Sequence, residues 1–390
     1  MNSENKFPNK EISRRFNDGG EPPFGLYIHV PFCDGKCPYC DFYSMRGSEE
    51  RMDEYTSSII DKINTYGNSI NRRADTLYFG GGTPSLLGAK RLAALIAAAR
   101  ESFGLADAEI TLEANPAEDL SAFLQEVHNA GANRLSIGLQ SSDEEELRLL
   151  GRRHTAVQAK KAVRDAQKAG FSNLSLDLML GIQNQTRESL LRSIEFCAES
   201  GVQHISAYLL KIEPHTAYYK NREQLRVPGE DEASDLYLFA CEELERRGFL
   251  QYEISNFSKP GYESRHNLKY WHCEEYLGLG PAAHSFMDGK RFYYDRNLSA
   301  FLRGCDPVQD GAGGDFEEYA MLAMRLTEGL AEQDCRKRFG HGIPAHVMQA
   351  AGKYESGGLT VCTGSGFRFT RKGFLVSNTL IAELLYNDLR

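Results

Sequence analysis

One tryptophan, Trp271, stands in a chain of 390 residues. Positive charge is short as well: 45 lysines and arginines against 54 acidic residues leave a net charge of −9. A general nucleic-acid binder needs a basic face, so that class is excluded and no nucleic-acid partner is expected. Long hydrophobic runs are missing, which excludes a membrane-crossing helix, and no apolar signal-like segment stands ahead of the cysteines. The nine cysteines are odd in number and scattered. Cys197, Cys241, Cys273, Cys305, Cys335 and Cys362 follow no pairing pattern and read as small buried or surface residues. Reduced thiols in a cytoplasmic protein are expected, not a disulfide framework. Met1–Pro23 has almost no apolar periodicity, and its polar, charged, Pro- and Gly-containing composition predicts a disordered lead-in.

The chain is organised around Leu26–Tyr43, LYIHVPFCDGKCPYCDFY, with Cys33, Cys37 and Cys40 spaced C-x3-C-x2-C. The apolar, aromatic run Leu26–Val30 predicts a strand, which Pro31 stops. Three thiols on the loop beyond it can hold three corners of a [4Fe–4S] cube. The fourth iron then has no protein ligand, and an open metal position suits a reactive site. Two other readings stay open at this point. Cys37-Pro38-Tyr39-Cys40 is a C-x-x-C dithiol, which would make a thiol–disulfide oxidoreductase. Zinc is the other, although a closed zinc site wants four ligands.

From residue 24 onward, strand-like runs alternate with helical patterns. Strands are predicted at Leu26–Val30, Thr76–Phe79, Glu109–Glu113, Arg134–Gly138, Asn173–Met179 and His204–Leu209, with helices between them. Six βα units in series predict an α/β fold, a partial (β/α)6 barrel with its chemistry at the C-terminal strand ends. Those ends carry the cysteine loop, Gly80-Gly81-Gly82-Thr83-Pro84, Glu113, Gln140 and Asp177. Three glycines let backbone approach a ligand closely. Glu113 and Asp177 suit an ammonium group or a ribose hydroxyl, and Arg152 offers a fork for a carboxylate. Together they describe a pocket for a zwitterionic, ribose-bearing ligand beside a metal cluster. The tail predicts helices at 316–326, 332–339, 345–354 and 375–389 around two short strands: a small α+β, winged-helix-like domain. Its third helix carries little positive charge and reads as a lid or partner surface. The expected division is 1–23, 24–314 and 315–390.

The run YIHVPFCDGKCPYCDF resembles the cluster loop of the radical S-adenosylmethionine enzymes, in the branch around the oxygen-independent coproporphyrinogen III oxidase. FGGGTPSLL, TLEANP, NRLSIGLQS, LGRRHT, LDLMLG, AYLLKIEP and YEISNF agree with it, so the resemblance covers residues 24–390. It implies that Cys33, Cys37 and Cys40 ligate a [4Fe–4S] cluster whose fourth iron is chelated by S-adenosylmethionine. It also implies that Tyr27, Tyr39, Gly81, Gly82, Thr83, Glu113, Gln140, Arg152 and Asp177 contact one or two molecules of that cofactor. The family's chemistry sends an electron from the reduced cluster into the sulfonium, yielding methionine and a hydrogen-abstracting deoxyadenosyl radical. Two departures from the oxidase pattern appear. Phe42 stands where the oxidase has an additional cysteine, and Met1–Pro23 is too short and polar to be its long N-terminal arm.

Arg265–Trp271 contains H-N-x-x-Y-W, similar to the signature of haem chaperones in that branch. The resemblance implies haem held by His266, with Tyr270 and Trp271 stacked on the macrocycle. From the residues alone, His266 would instead hydrogen-bond a turn while Trp271 fills core. His284, in LGLGPAAHSF, is a nearby second candidate for the haem site and is expected to line the pocket. The expected function is haem chaperoning, with an acceptor protein and an electron donor for the cluster as partners and room for a transient, membrane-associated acceptor. The alternative is oxygen-independent coproporphyrinogen III dehydrogenation.

Overall fold

A computed structural model describes residues 21–116 and 119–386. The expectation for Met1–Pro23 therefore lies outside the described residues except at 21–23. There the Arg72 guanidinium donates to the Pro22 carbonyl (2.7 Å) and the Lys269 ammonium to that of Pro23 (3.1 Å).

The six predicted strands are present, the first five slightly longer and the sixth with the predicted bounds: β1 (Phe24–Val30), β2 (Ala74–Gly81), β3 (Glu109–Ala114), β4 (Arg134–Gln140), β5 (Asn173–Leu180) and β6 (His204–Leu209). They pair in sequence order, all parallel. The connecting helices fall where apolar periodicity puts them, for example Ala89–Phe103, which buries Leu92, Leu95, Ile96, Ala99 and Phe103. Capping boxes at Thr155/Gln158 and Thr186/Ser189 satisfy the first N–H groups of the helices Ala156–Ala169 and Arg187–Glu199.

The sheet does not close into a ring. Beyond β6 come β7 (Leu250–Gln251) and β8 (Asn256–Ser258), with β8 antiparallel to β6. On the other side β9 (Tyr276–Leu279) runs parallel to β1, followed by β10 (His284–Met287), β11 (Lys290–Tyr293) and β12 (Val308–Ala312). These six were not predicted. Five of them are only two to four residues long, too short for an alternation to register.

Alternation in β2–β6 separates two faces. Leu77, Phe79, Ile110, Leu112, Leu135, Ile137, Leu174, Leu176 and Ile205 are buried under the helices. The other face carries Thr76, Tyr78, Thr111, Glu113, Arg134, Ser136, Ser175, Asp177, His204 and Ser206, aligned by the pairings Tyr78↔Thr111, Glu113↔Ser136, Ser136↔Ser175, Ser175↔His204 and Asp177↔Ser206. A closed (β/α)8 barrel fills its interior with branched apolar side chains. This open one has a polar lumen.

The tail folds as predicted in kind. A three-stranded antiparallel sheet, β13 (Leu330–Ala331), β15 (Gly366–Phe369) and β14 (Thr360–Thr363) in that order, packs with helices Glu332–Phe339 and Ala345–Lys353, while the helix Phe316–Ala323 packs on Arg265–Trp271 and Ser377–Tyr386. The last predicted helix is two, Arg371–Leu375 and Ser377–Tyr386, and residues 387–390 lie outside the described set. The helix Ala345–Lys353 packs on Ser377–Tyr386 and on the small sheet. No described helix is long and apolar enough to cross a membrane.

Candidate cofactor site

The cysteine loop is shaped by a clasp. The Met45 N–H donates to the Pro31 carbonyl (2.8 Å) and the Cys33 N–H to that of Met45 (2.9 Å). Phe32 is fully buried against the edge of the Tyr55 ring, 5.4 Å between centroids. The triple glycine completes the fit. The Gly82 and Thr83 N–H groups donate to the carbonyls of Val30 (2.8 Å) and Phe32 (2.7 Å). A Cβ on Gly82 would stand 2.5 Å from the Phe32 oxygen, and one on Gly81, at φ +105°, would stand 2.5 Å from the His29 ring. These two glycines make room for the cysteine loop and its support.

Cys33, Cys37 and Cys40 are all free and half-buried. The Thr83 hydroxyl lies 3.4 Å from the Cys33 sulfur, and Arg152 Nη1 donates to the Cys37 sulfur at 3.6 Å. Burial pushes the Cys40 thiol up. Among the described residues no three His, Cys, Asp or Glu side chains converge on a single-ion site. A cube asks for something else: three thiols spread along one loop, each meeting a different iron. Phe42 is 66% exposed beside them.

At the mouth, Glu113 accepts from the Tyr78 hydroxyl (2.8 Å) and Asp177 from that of Ser136 (3.0 Å). Burial, with the charge of Asp177 adding to it, pushes the Glu113 carboxyl up to about 7. Burial raises Asp177 too. Arg152 donates to the Asn115 side-chain oxygen (3.2 Å) and the Gly138 carbonyl (2.9 Å), both neutral, and its buried Nε has no partner. Among the described residues it forms no ion pair, so an anion beside it would meet an uncompensated cation. Gln140 holds φ +70°, unusual for a side-chain-bearing residue and a mark of local strain at the strand tip. Tyr39 is tucked against Tyr218, 6.2 Å between rings. Sequence reasoning missed Tyr78 and His29; Asn115 stood in the strand-end run Glu113-Ala114-Asn115-Pro116, without a role of its own. The lumen-facing parity of Tyr78 with Thr76 could have found the first. Tyr27 donates to His29 Nδ1 (3.1 Å), and His29 Nε2–H donates to the Tyr43 carbonyl (2.9 Å), tying strand β1 to the cysteine loop.

The H-N-x-x-Y-W segment lies at the other end of the strands. Ser264 caps the helix Arg265–Trp271, and the Glu109 carboxylate accepts from the N–H groups of Arg265 and His266, 3.1 Å each. His266, Lys269 and Tyr270 share one face by their i, i+3, i+4 spacing. His266 is 1% exposed. Its Nδ1 bonds Thr76 (2.7 Å), its Nε2 bonds Tyr270 (2.7 Å), and its ring stacks on Tyr78 at 5.2 Å. Lys269 bonds Asp75 (2.9 Å) and Glu274 (3.0 Å). The motif plugs the barrel floor. In this conformation both ring nitrogens of His266 are engaged by protein partners. Trp271 is half-buried, its indole N–H enclosed without a partner.

The Radical SAM superfamily model matches residues 27–197. The heme chaperone HemW of Escherichia coli is 38% identical over 387 residues, covering 93% of this chain and 98% of its own. The heme chaperone HemW of Lactococcus lactis is 30% identical over 379 residues, covering 95% and 99%. The chain belongs to the HemW family of the radical SAM superfamily. Among solved structures, coproporphyrinogen III oxidase HemN of Escherichia coli matches with a TM-score of 0.81 over 97% of this chain and 92% of that one, at 20% identity, a likeness of fold. A HemW-family chain of the radical SAM type calls for a cluster and S-adenosylmethionine at the mouth. The residues present fit both: three half-exposed thiols on a clasped loop, and beside Cys37 a buried guanidinium whose Nε has no partner.

Proposed function

We propose that this chain is a haem chaperone that carries a [4Fe–4S] cluster on Cys33, Cys37 and Cys40, binds S-adenosylmethionine at the barrel mouth, and passes haem to an acceptor protein. The HemW relatives matching nearly end to end carry this reading. Arg152 meets the cofactor's carboxylate, with Glu113, Gln140 and Asp177 on its polar remainder and Tyr27, Tyr39, Gly81, Gly82 and Thr83 framing it. The reduced cluster, when bound, supplies one electron at a time, so an electron donor is a further partner. The cytoplasm is the setting that reduced thiols fit. The exposed Phe42, where the porphyrinogen oxidase pattern has a cysteine, supports chaperone over oxidase.

The test is anaerobic reconstitution of the full chain, then titration with haem and S-adenosylmethionine, and an assay with coproporphyrinogen III. Stoichiometric haem binding without decarboxylation is expected. Formation of protoporphyrinogen IX, with no haem bound, overturns the proposal.

A further inference from the structure

We infer that His284, at the start of β10 and on the cysteine-loop side of the barrel, is the residue that ligates haem iron. This rests on the haem-chaperone reading.

Four imidazoles matter on this side of the sheet. His29, His204 and His266 are buried with both ring nitrogens engaged: His29 by Tyr27 and Tyr43, His204 by Ser175 (2.7 Å) and Tyr252 (2.8 Å), His266 by Thr76 and Tyr270. His284 is exposed, and neither of its nitrogens has a hydrogen-bond partner among the described residues. Its ring stacks on Tyr293 across the β10–β11 pair, 5.1 Å between centroids and 26° between planes. Stacking fixes the ring's orientation while its edge, where both nitrogens sit, stays open. Burial lowers its pKa, and a neutral imidazole is the form that binds iron. Asp310 opposes that shift, while Arg291 and Arg296 favour it.

The surroundings suit a flat, dianionic macrocycle. Alternation puts His284 on the same face of β10 as Phe286, which pairs with Tyr276 of β9. Tyr276 in turn packs on Tyr270, so this is the lumen face. Arg296 links the histidine to the cluster side: it reaches Asp41 in the cysteine loop at 3.3 Å, and its charge acts on both His29 and His284. The pair is exposed, 61% and 41%, so it is weak, and the guanidinium can turn to a propionate. Phe42, next to Asp41, and Met45 offer exposed apolar surface. By contrast, His266 sits against Gly25 near the start of β1, about 17 Å of strand below the cysteine loop at about 3.3 Å per residue.

The experiment is haem titration of the reconstituted full chain, read in the Soret band, for wild type, His284→Ala and His266→Gln. Gln can keep hydrogen bonds at the floor, so that variant folds. His284→Ala should bind at least about 10- to 100-fold more weakly, the loss that even an outer-shell partner causes, with a shifted Soret maximum that added imidazole restores. His266→Gln should keep both the affinity and the spectrum. Unchanged binding and spectrum in His284→Ala, or loss of both in a folded His266→Gln, overturns the assignment to His284. If wild type binds no haem, the chaperone reading itself fails.

Discussion

Replacing His266 with alanine measures how much the floor plug holds. The side chain is almost fully enclosed and bonds Thr76 and Tyr270 at 2.7 Å each. Its loss leaves the fully buried Thr76 hydroxyl orphaned, at about 1–3 kcal/mol. The Tyr270 hydroxyl loses the same partner. The vacated ring space lies between Tyr78 and Tyr270, and deleting a buried ring adds roughly 2 kcal/mol of lost contact and cavity. The expected destabilisation is about 3–5 kcal/mol, by these same ranges. Urea unfolding followed by fluorescence reads it directly, because the single tryptophan, Trp271, ends the same helix. The midpoint should fall with the slope unchanged. A loss below about 1 kcal/mol, within the range of an ordinary surface substitution, together with abolished haem binding would refute the structural role and return His266 to the iron.

Acid should weaken the same floor. Burial pulls the His266 pKa from 6.5 to about 3 in the fold, so the unfolded chain binds the extra proton and stability falls as pH drops from 6.5 toward 3; His266→Gln should flatten that slope, and an unchanged slope would count against it. Cys33→Ala should retain few of the roughly four irons per chain that a cubane carries, by iron assay after reconstitution; full retention with Cys37 and Cys40 cycling as a disulfide would favour the dithiol reading. Gly82→Ala should disturb the cysteine loop, since its Cβ meets the Phe32 carbonyl at 2.5 Å; we expect about 1–3 kcal/mol of overpacking and poor cluster retention, whereas a stable variant with normal iron but weaker cofactor binding would put the ligand against Gly82 after all.

The six parallel strands were legible because each carries an apolar row for the helices and a polar row for the lumen, bounded by glycine and proline. The mouth residues were legible because chemistry in such folds gathers at one end of the strands. The short strands β7–β11 were not, since two to four residues carry no period. The floor segment carries two readings for a different reason. H-N-x-x-Y-W has the residue types of a haem site and also the spacing of one packed helical face. Only the positions of Thr76 and Glu109, far away in sequence, decide which way the imidazole points. Likewise the triple glycine signals close approach, but not to what.

The backbone contact between Gly82 and the Val30–Phe32 carbonyls bears on how the iron site is made. A nascent chain cannot present the three thiols in register until β2 has paired with β1 and Met45 has returned to Pro31. The contacts that frame the socket are all protein to protein, whereas a zinc finger is unfolded without its metal. A cluster destroyed by oxygen would leave that socket standing. Repair then requires only new iron and sulfide, not a new chain.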